Sequence, residues 1–504
     1  MKRNTATALL LTACLLGGVL SCKKEFLQVS PAGQLTDEYL ANKKGLDGLL
    51  IGSYAMLKGQ AGDWLGGSSN WLHGSVQGGD ANRGGSLGDC CNPYVPTQRY
   101  ELRARDYPPL SKWQACYEGI ARTNSVLRVL SITPEGELTA ADRARIAGEA
   151  RFLRGHYYFE LKRLFNDVPF IDEKMNLFEA EKVTNTVDIW PKITEDFRFA
   201  FENLPAKQTA AGRANQWAAA AYLGKVYLYR HQYAEAKAVF DRVIAEGSTA
   251  GGLPYGLLER YADLFNAEYD NNRESIFANQ AAVNTGSEYN ANFEFIQNFP
   301  YNTGPGGPGN CCGFYQPSFD LANSFRTDAN GLPLIDGSYN DPANALKSDY
   351  GIRSQEPFTP DEGPVDPRLD HSIGRRGIPY LDWQDHPGFD WIRDQEYAGP
   401  YSPKKFIYYK SQEGTLTDGS SWTRGLSAMN YNIIRFADVL LMAAECEVQL
   451  GNLETARNFV NRVRARAANP AGLVKRADGS EAALYRIGLY ETPWTNADEA
   501  RQAV

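Results

Sequence analysis

The spacing of apolar residues predicts long amphipathic helices in this chain. The clearest pattern lies in LTAADRARIAGEARFLRGHYYFELKRLFNDVP, residues 138–169, where Thr139 and Asp142 have the spacing of an N-terminal capping box. Asn166 and Pro169 mark the end of the predicted helix, since proline cannot continue one. The apolar positions recur every three or four residues, as on one helical face: Ile146, Ala150, Leu153, Tyr157, Leu161 and Leu164.

Two later stretches predict pairs of antiparallel helices. The first is QWAAAAYLGKVYLYRHQYAEAKAVFDRVI at 216–244, and the second is RFADVLLMAAECEVQLGNLETARNFVNRVRARA at 435–467. Small residues allow the two helices of a pair to approach closely, and larger apolar residues fill the space around that contact. The positions that match the tetratricopeptide consensus are Leu223, Gly224, Tyr227, Ala236 and Phe240, with Ala444 and Ala456 in the two small-residue positions of the second pair.

Between the helical blocks, residues 60–100 and 284–425 are rich in Gly, Pro, Asn and Asp, with Trp and Tyr scattered through them. Loops of this length are either functional or disordered, and their aromatic content argues for order. The sequence therefore predicts a mainly α fold in which tetratricopeptide-like helical hairpins form a scaffold that carries long, irregular, aromatic-rich loops.

Charge and motif content exclude several classes of function. The net charge is −8 and no basic tract occurs, which argues against nucleic-acid binding. The five histidines form no H-E-x-x-H pair, and neither a P-loop nor a G-x-S-x-G motif is present. We therefore expect no catalytic residues, no metal site and no cofactor. A helical glycan-active enzyme remains an alternative, because a catalytic carboxylate pair is defined by its separation in space.

Residues 1–21 have the layout of a secretory signal peptide. Lys2 and Arg3 precede an apolar run at 8–20, which is far shorter than the roughly 20 residues that span a bilayer. The run ends in VLSC, residues 19–22, which resembles the lipobox of bacterial lipoproteins. This resemblance implies that Cys22 carries the lipid that anchors the mature protein. The alternative is an ordinary cleavage site with a cysteine nearby by chance.

Five blocks of the chain, in order, have the motifs of one protein family. They are GLLIGSYAML at 48–57, after Phe26, Leu27 and Pro31, then EARFLRGHYYFELKRLFNDVP at 149–169, DPRLD at 366–370 and IIRFADVLLMAAE at 433–445. The remaining block, WQACYEGIARTNSVL at 113–127, lies between the first two of these and has a W-x₃-Y-x₂-I-x₃-N pattern from Trp113 to Asn124. Together they resemble the SusD/RagB family of nutrient-binding lipoproteins.

The resemblance implies a lipid-anchored protein at the cell surface, in the outer membrane, that binds a polysaccharide, an oligosaccharide or a peptide. Its implied partner is a SusC-like TonB-dependent transporter, to which it delivers the nutrient. A tetratricopeptide scaffold that binds only protein is the alternative. The implied domains are the signal peptide, an N-terminal SusD-like helical region at 22–245 with a tetratricopeptide-like hairpin, and a C-terminal RagB/SusD region at 246–504.

The last residues open a helix, with Asn496 and Glu499 spaced as a capping box. In the family this helix continues into a further segment, so we expect the chain to be cut short at its C-terminal end. The alternative is a short terminal helix.

A sugar ring has apolar C–H faces and a polar rim, so a glycan site needs aromatic platforms beside amides and charges. The loops that resemble the ligand region of the family supply such residues, and the segment YLDWQDHPGFDW supplies Trp383 and Trp391. Loop packing is the alternative role for each aromatic residue. The candidate ligand-binding residues are Trp71, Asp80, Asn82, Arg83, Tyr94, Tyr301 and Tyr315.

Two cysteine pairs lie in these loops, within GDCCNPYVP at 88–96 and GNCCGFYQP at 309–317. We predict that the pair Cys90 and Cys91 is linked to the pair Cys311 and Cys312 by one disulfide or two, which would hold the loops together. The alternatives are a vicinal disulfide within each pair, or four reduced thiols. Cys116 and Cys446, which lie on predicted helical faces, are expected to be buried and free.

Overall fold

The computed structural model describes residues 35–89, 94–309 and 311–504. The signal peptide and three of the cysteines discussed above, Cys22, Cys90 and Cys91, lie outside the described residues. Helices predominate over short strands in the described part, which confirms the predicted mainly α fold class. Within these ranges, no helix is both long enough and apolar enough to cross a membrane.

The α-helices of the described residues are numbered in chain order. They are α1 (Asp37–Leu40), α2 (Lys43–Ala55), α3 (Val95–Gln98), α4 (Tyr107–Ile132), α5 (Ala140–Phe165), α6 (Leu177–Ala180), α7 (Trp190–Asn203), α8 (Gln216–Tyr229), α9 (Tyr233–Glu246), α10 (Phe319–Ser324), α11 (Leu369–Ser372), α12 (Gln395–Ala398), α13 (Phe436–Gln449), α14 (Leu453–Ala467) and α15 (Ala497–Ala503).

The strands are short and pair two by two in antiparallel fashion: β1 (Ala81–Gly84) with β3 (Phe314–Pro317), β2 (Ser275–Asn279) with β8 (Tyr431–Arg435), β4 (Ile373–Gly374) with β7 (Ser402–Pro403), and β5 (Pro379–Tyr380) with β6 (Gln384–Asp385).

The long helices form a continuous spine in which each packs against the next. Helix α4 packs on α5, α5 on α7, α7 on α8, and α8 on α9. Helix α9 then packs on α13, and α13 on α14, so the second hairpin continues the row begun by the first. One apolar core runs from Leu46 in α2 to Val463 in α14. The spine thus joins the N-terminal and C-terminal parts of the chain.

Helix α5 has the bounds that its sequence pattern predicts. The Thr139 hydroxyl accepts a hydrogen bond from the Asp142 backbone N–H at 3.0 Å, which caps the first turn. Asn166 follows the last turn with a positive φ of 60°, which asparagine adopts more readily than most residues. The Thr139 N-cap and the stop signal are confirmed, but the Asp142 carboxylate accepts from the Thr139 hydroxyl at 2.9 Å, which differs from the backbone bond of a full capping box.

Small residues in the spine helices make room for aromatic rings from the next helix. A Cβ atom at Gly224 in α8 would lie 2.5 Å from the ring of Phe240 in α9. A Cβ atom at Gly119 in α4 would likewise lie 2.5 Å from the ring of Tyr157 in α5. The predicted hairpins are therefore confirmed together with the reason for their small residues, because close helix approach and ring packing need the same space.

The cysteines of the described residues correct one prediction. Cys311 is bonded to Cys312 in a vicinal disulfide, which is one of the alternatives that the sequence left open. The predicted link between these two cysteines and the Cys90 and Cys91 pair is therefore wrong, because each sulfur of 311 and 312 already forms its bond with its neighbour. Cys116 and Cys446 are buried and free, as predicted.

The two loops are nevertheless held together, by backbone hydrogen bonds. Ala81 pairs with Pro317 and Gly84 with Phe314 in the β1–β3 ladder. Beyond the ladder, the Gly85 N–H donates to the Gly313 carbonyl at 2.6 Å, and the Ser318 N–H donates to the Asp80 carbonyl at 2.9 Å. A sheet contact thus does what the sequence assigned to a disulfide.

The packing of Gly224 predicts a difference between two glycine replacements. Gly224→Ala should lower the free energy of unfolding by about 1–3 kcal/mol, because the added methyl group overpacks the α8–α9 contact. Gly48→Ala in α2 is the matched control, since no atom lies within 4 Å of its added Cβ. It should raise stability by about 0.5–1 kcal/mol. Denaturant unfolding measures both variants, and equal effects would contradict the packing argument.

The disulfide predicts a simple result in non-reducing peptide mapping. Trypsin releases residues 274–326, which contain Cys311 and Cys312, and residues 84–99, which contain Cys90 and Cys91. The first peptide should be lighter by two hydrogens than its reduced form and should not be joined to the second. A cross-linked species of both peptides that disappears on reduction would contradict the vicinal bond.

Candidate functional site

The segment that follows Asp63 is fixed to the spine by a buried ion pair. Lys112 in α4, only 1% exposed, donates to the Gly67 carbonyl at 2.7 Å and lies 3.1 Å from the Glu160 carboxylate in α5. The Asn70 amide donates to the same carboxylate at 2.6 Å. Burial alone would raise the pKa of Glu160, but Arg163 and Lys112 hold the pKa well below its usual range, so the group is ionised.

A second buried carboxylate holds the other side of this segment. Glu294 accepts hydrogen bonds from the Ser69 N–H at 2.8 Å and from the Asn279 amide at 2.9 Å. Its carboxyl group packs directly against Gly67, where a Cβ atom would lie 2.2 Å from it. Residues 67–70 are therefore held between α5 and the second aromatic loop.

Several of the predicted ligand residues pack inside the loops. Trp71 is 2% exposed, with its ring 6.2 Å from that of Tyr94 and 5.7 Å from that of Tyr315. Trp71 and Tyr94 belong to an apolar cluster that also contains Phe314 and Cys312. These aromatic residues stabilise the contact between the two loops, which is the packing role that the sequence left open for each of them.

Arg83 and Asn82 stabilise the backbone of the first loop. Arg83 is fully buried between the rings of Phe314 and Tyr397, each 5.3 Å from its guanidinium carbon, and donates to the Ser86 carbonyl at 2.7 Å. The Asn82 amide donates to the Tyr397 carbonyl at 3.3 Å. These contacts hold both side chains within the protein.

Tyr301, Trp383 and Trp391 each contact other residues of the protein. The ring of Tyr301 lies 4.9 Å from the Arg393 guanidinium, and Arg393 in turn pairs with Asp89 at 2.6 Å. Trp383 and Trp391 are buried in a separate apolar cluster. The third aromatic segment is therefore part of a core.

Asp80 and Tyr315 face a concave surface, here called the central cleft. It has a volume of about 450 Å³ and is bounded by the 68–80 segment, by α5 and α8, and by β3 and β8. The Tyr315 hydroxyl forms a hydrogen bond with the Ser75 hydroxyl at 2.9 Å. The Asp80 side chain is partly exposed. Burial of its inner part raises the pKa of the carboxyl group, although Lys405 opposes the shift.

The floor of the central cleft is aromatic. Phe406 stacks on Phe295 with ring centroids 4.3 Å apart and 17° between the planes, and its centroid lies 5.5 Å from that of Tyr431. Phe265 meets Phe406 edge-on at 5.8 Å. Phe265, Phe406 and Tyr431 are half-buried, so parts of these rings remain open to the cleft. Flat, partly exposed rings of this kind can pack against the C–H face of a sugar.

Charged side chains surround this floor. The cleft is lined by four cations, Arg163, Lys225, Lys405 and Arg435, and by three carboxylates, Asp80, Glu160 and Asp438. No group of three His, Cys, Asp or Glu side chains that could hold a metal ion occurs in the part of the chain that the structure describes. The arrangement can bind a polar ligand with apolar faces by stacking, hydrogen bonding and ion pairing.

Sequence reasoning missed most of the cleft lining. Lys225 in α8 directly follows a glycine of the hairpin motif, and that motif does not indicate a ligand-binding role for it. Phe265 and Phe406 come from irregular segments that are separated by more than a hundred residues. No spacing in the sequence relates these three residues, because their proximity depends on how the two halves of the chain pack.

A larger concavity lies on another part of the surface. It has a volume of about 760 Å³ and is bounded by the end of α2, by α4 and by residues 278–282 and 289–293. Of the sequence-predicted ligand residues, none lines it. The central cleft is therefore the better candidate, since it collects Asp80, Tyr315 and the aromatic floor.

Comparisons with known proteins agree with the motifs and the fold. The SusD family model matches residues 273–504, and a family model described as starch-binding associating with outer membrane matches residues 25–228. A SusD-like protein of Bacteroides ovatus is 27% identical over 256 residues, which cover 48% of this chain and 45% of the relative. The chain thus spans about half the length of that curated relative.

Solved structures share the fold. A SusD-like protein of Bacteroides fragilis superposes with a TM-score of 0.67 at 18% identity, covering 93% of this chain and 83% of that one. A laminarin-binding SusD-like protein superposes with a TM-score of 0.62 at 24% identity, covering 85% of each chain. The two family models between them match most of the sequence, and a curated SusD-like protein is a relative of it: the chain belongs to the SusD/RagB family.

Proposed function

We propose that the protein is a lipoprotein of the outer-membrane surface that binds a nutrient glycan in the central cleft and delivers it to a SusC-like TonB-dependent transporter. The main evidence for glycan binding in this cleft is its aromatic floor, formed by Phe295, Phe406 and Tyr431 and surrounded by charged and amide side chains. Family membership supports the glycan, since one structural neighbour is a laminarin-binding protein.

We infer binding without catalysis. A glycosidase needs a carboxyl group that can donate a proton, and such a group has a raised pKa. Glu160, the most buried carboxylate of the cleft, is instead held ionised by Lys112 and Arg163 and is fixed by the Asn70 amide. Asp438 is engaged with Arg435 at 3.2 Å. Asp80 is a cleft carboxylate whose pKa is raised by burial, but the other two carboxylates that line the cleft, Glu160 and Asp438, are held in ion pairs, and this favours a binding role over an acid–base pair.

The proposal predicts different effects for Tyr315 and Trp71. Tyr315→Ala should weaken glycan binding by about 1–3 kcal/mol, by analogy with stacking on aromatic residues, and should lower the melting temperature less than Trp71→Ala does, because Tyr315 is only partly buried. Trp71→Ala should mainly lower stability, because the buried ring fills the core between the loops. A glycan array followed by calorimetry on the best binder measures affinity, and thermal unfolding measures stability.

Tyr350→Ala is the matched control, since this half-exposed aromatic residue does not line the cleft. It should leave affinity unchanged. A Tyr315→Ala variant whose loss of binding free energy is no larger than its loss of folding free energy would contradict the proposed role of that residue. Binding of peptides but of no glycan, or new reducing ends during incubation with a bound glycan, would contradict the proposed function.

The proposed anchor predicts a change of compartment. Cys22→Ser should remove the acylated thiol, so the protein should leave the detergent-phase membrane fraction in which the wild type is found. Wild-type protein solubilised from outer membranes should co-purify with a large TonB-dependent transporter. A Cys446→Ser variant is the control, because this thiol is buried and free. Wild-type levels of the Cys22 variant in the detergent phase would contradict the anchor.

A further inference from the structure

Two lysines in the central cleft lack an acidic partner. Lys225 extends from α8 and lies 5.8 Å from the Phe159 ring, and Lys405 lies 5.2 Å from the Phe265 ring and 5.8 Å from the Tyr261 ring. Neither lysine has a carboxylate within ion-pair distance among the described residues. The other two cations of the cleft, Arg163 and Arg435, are each paired with a carboxylate.

The nearby carboxylates are already shared among several cations. Glu160 serves both Lys112 and Arg163. Glu274 lies behind the cleft and pairs with Arg435 at 3.4 Å and with Arg466 at 3.0 Å. Even with Asp80 and Asp438 included, cations outnumber carboxylates in the lining of the cleft, in a protein whose net charge is −8. Burial and repulsion from Arg163 lower the pKa of Lys225, although Asp438 and Glu160 oppose the shift.

The cleft also has unused hydrogen-bond acceptors. The Oδ1 atoms of Asn70 and Asn432 are both buried and have no hydrogen-bond partner. An amide oxygen in this state is well suited to accept a hydrogen bond from a ligand hydroxyl group. The aromatic floor, the free acceptors and the two lysines together match a hydroxyl-bearing ring that carries a negative charge.

We propose that the glycan bound in the central cleft is acidic and that Lys225 and Lys405 bind its oxyanion, which is either the carboxylate of a uronic acid or a sulfate ester. This inference rests on the proposed function and adds the class of glycan. Ammonium groups bind such oxyanions by charge-assisted hydrogen bonds, which are stronger than those between neutral groups. A neutral glycan would leave both charges unpaired in a partly buried site.

The test compares polymers that differ only in charge. Affinity electrophoresis and calorimetry are run with polygalacturonate and its carboxyl-reduced form, and with a sulfated galactan and its desulfated form. The purified protein should bind at least one charged polymer about tenfold or more tightly than its neutral counterpart. The pair that shows the difference identifies the carboxylate or the sulfate ester as the charged group.

Two variants test the named residues. Lys225→Met and Lys405→Met keep the length of the side chain and remove its charge, and each should weaken binding of the charged polymer about tenfold or more. Lys182→Met is the control, since this exposed lysine lies outside the cleft lining. Wild-type affinity should also fall as salt concentration rises, and this measurement remains informative if a variant does not fold.

The outcomes separate this inference from the proposed function. Binding of neutral polymers with no preference for their charged counterparts would overturn the inference and leave the proposed function standing. Equal affinity of all three lysine variants for the charged polymer, or salt-independent binding by the wild type, would also overturn the inference. Binding of no glycan on the array or among these polymers would overturn both.

Discussion

The central cleft depends on the buried Glu160 carboxylate. Lys112 and Asn70 both contact it, and through them the 67–70 segment is fixed against α4 and α5. A buried carboxylate without such partners would be strongly destabilising, so the spine and the loop stabilise one another. The position of this segment in turn sets the position of β1, β3 and the wall of the cleft that carries Tyr315.

The spine provides the rigid surface to which this segment is attached. Its helices approach closely because a glycine faces an aromatic ring at successive contacts, as at Gly119 and Tyr157 and at Gly224 and Phe240. Close packing leaves little freedom for one helix to shift against another. The Phe159, Glu160 and Lys225 side chains therefore keep a fixed relation to each other, which a binding site for a rigid ring requires.

The candidate residues divide according to burial. Large aromatic residues in irregular loops can serve two purposes. They can form the apolar core that a loop without regular hydrogen bonding still needs, and they can contact a ligand. Trp71 and Tyr94 supply that core, whereas Tyr315 also reaches the cleft. Composition alone gives the same prediction for all three, since it does not tell which face of a ring is covered by protein.

The sequence by itself determined the helical spine, the two hairpins, the ordered aromatic loops and the family, because periodicity, caps and motifs act over short distances along the chain. It also indicated that the loops around Asn82 and Tyr315 belong together, but it assigned their contact to a disulfide instead of the β1–β3 ladder. Only the tertiary structure decided that Lys225, Phe265 and Phe406 meet. Their proximity follows from packing between distant segments, and the charge balance of the cleft follows from which ion pairs that packing allows.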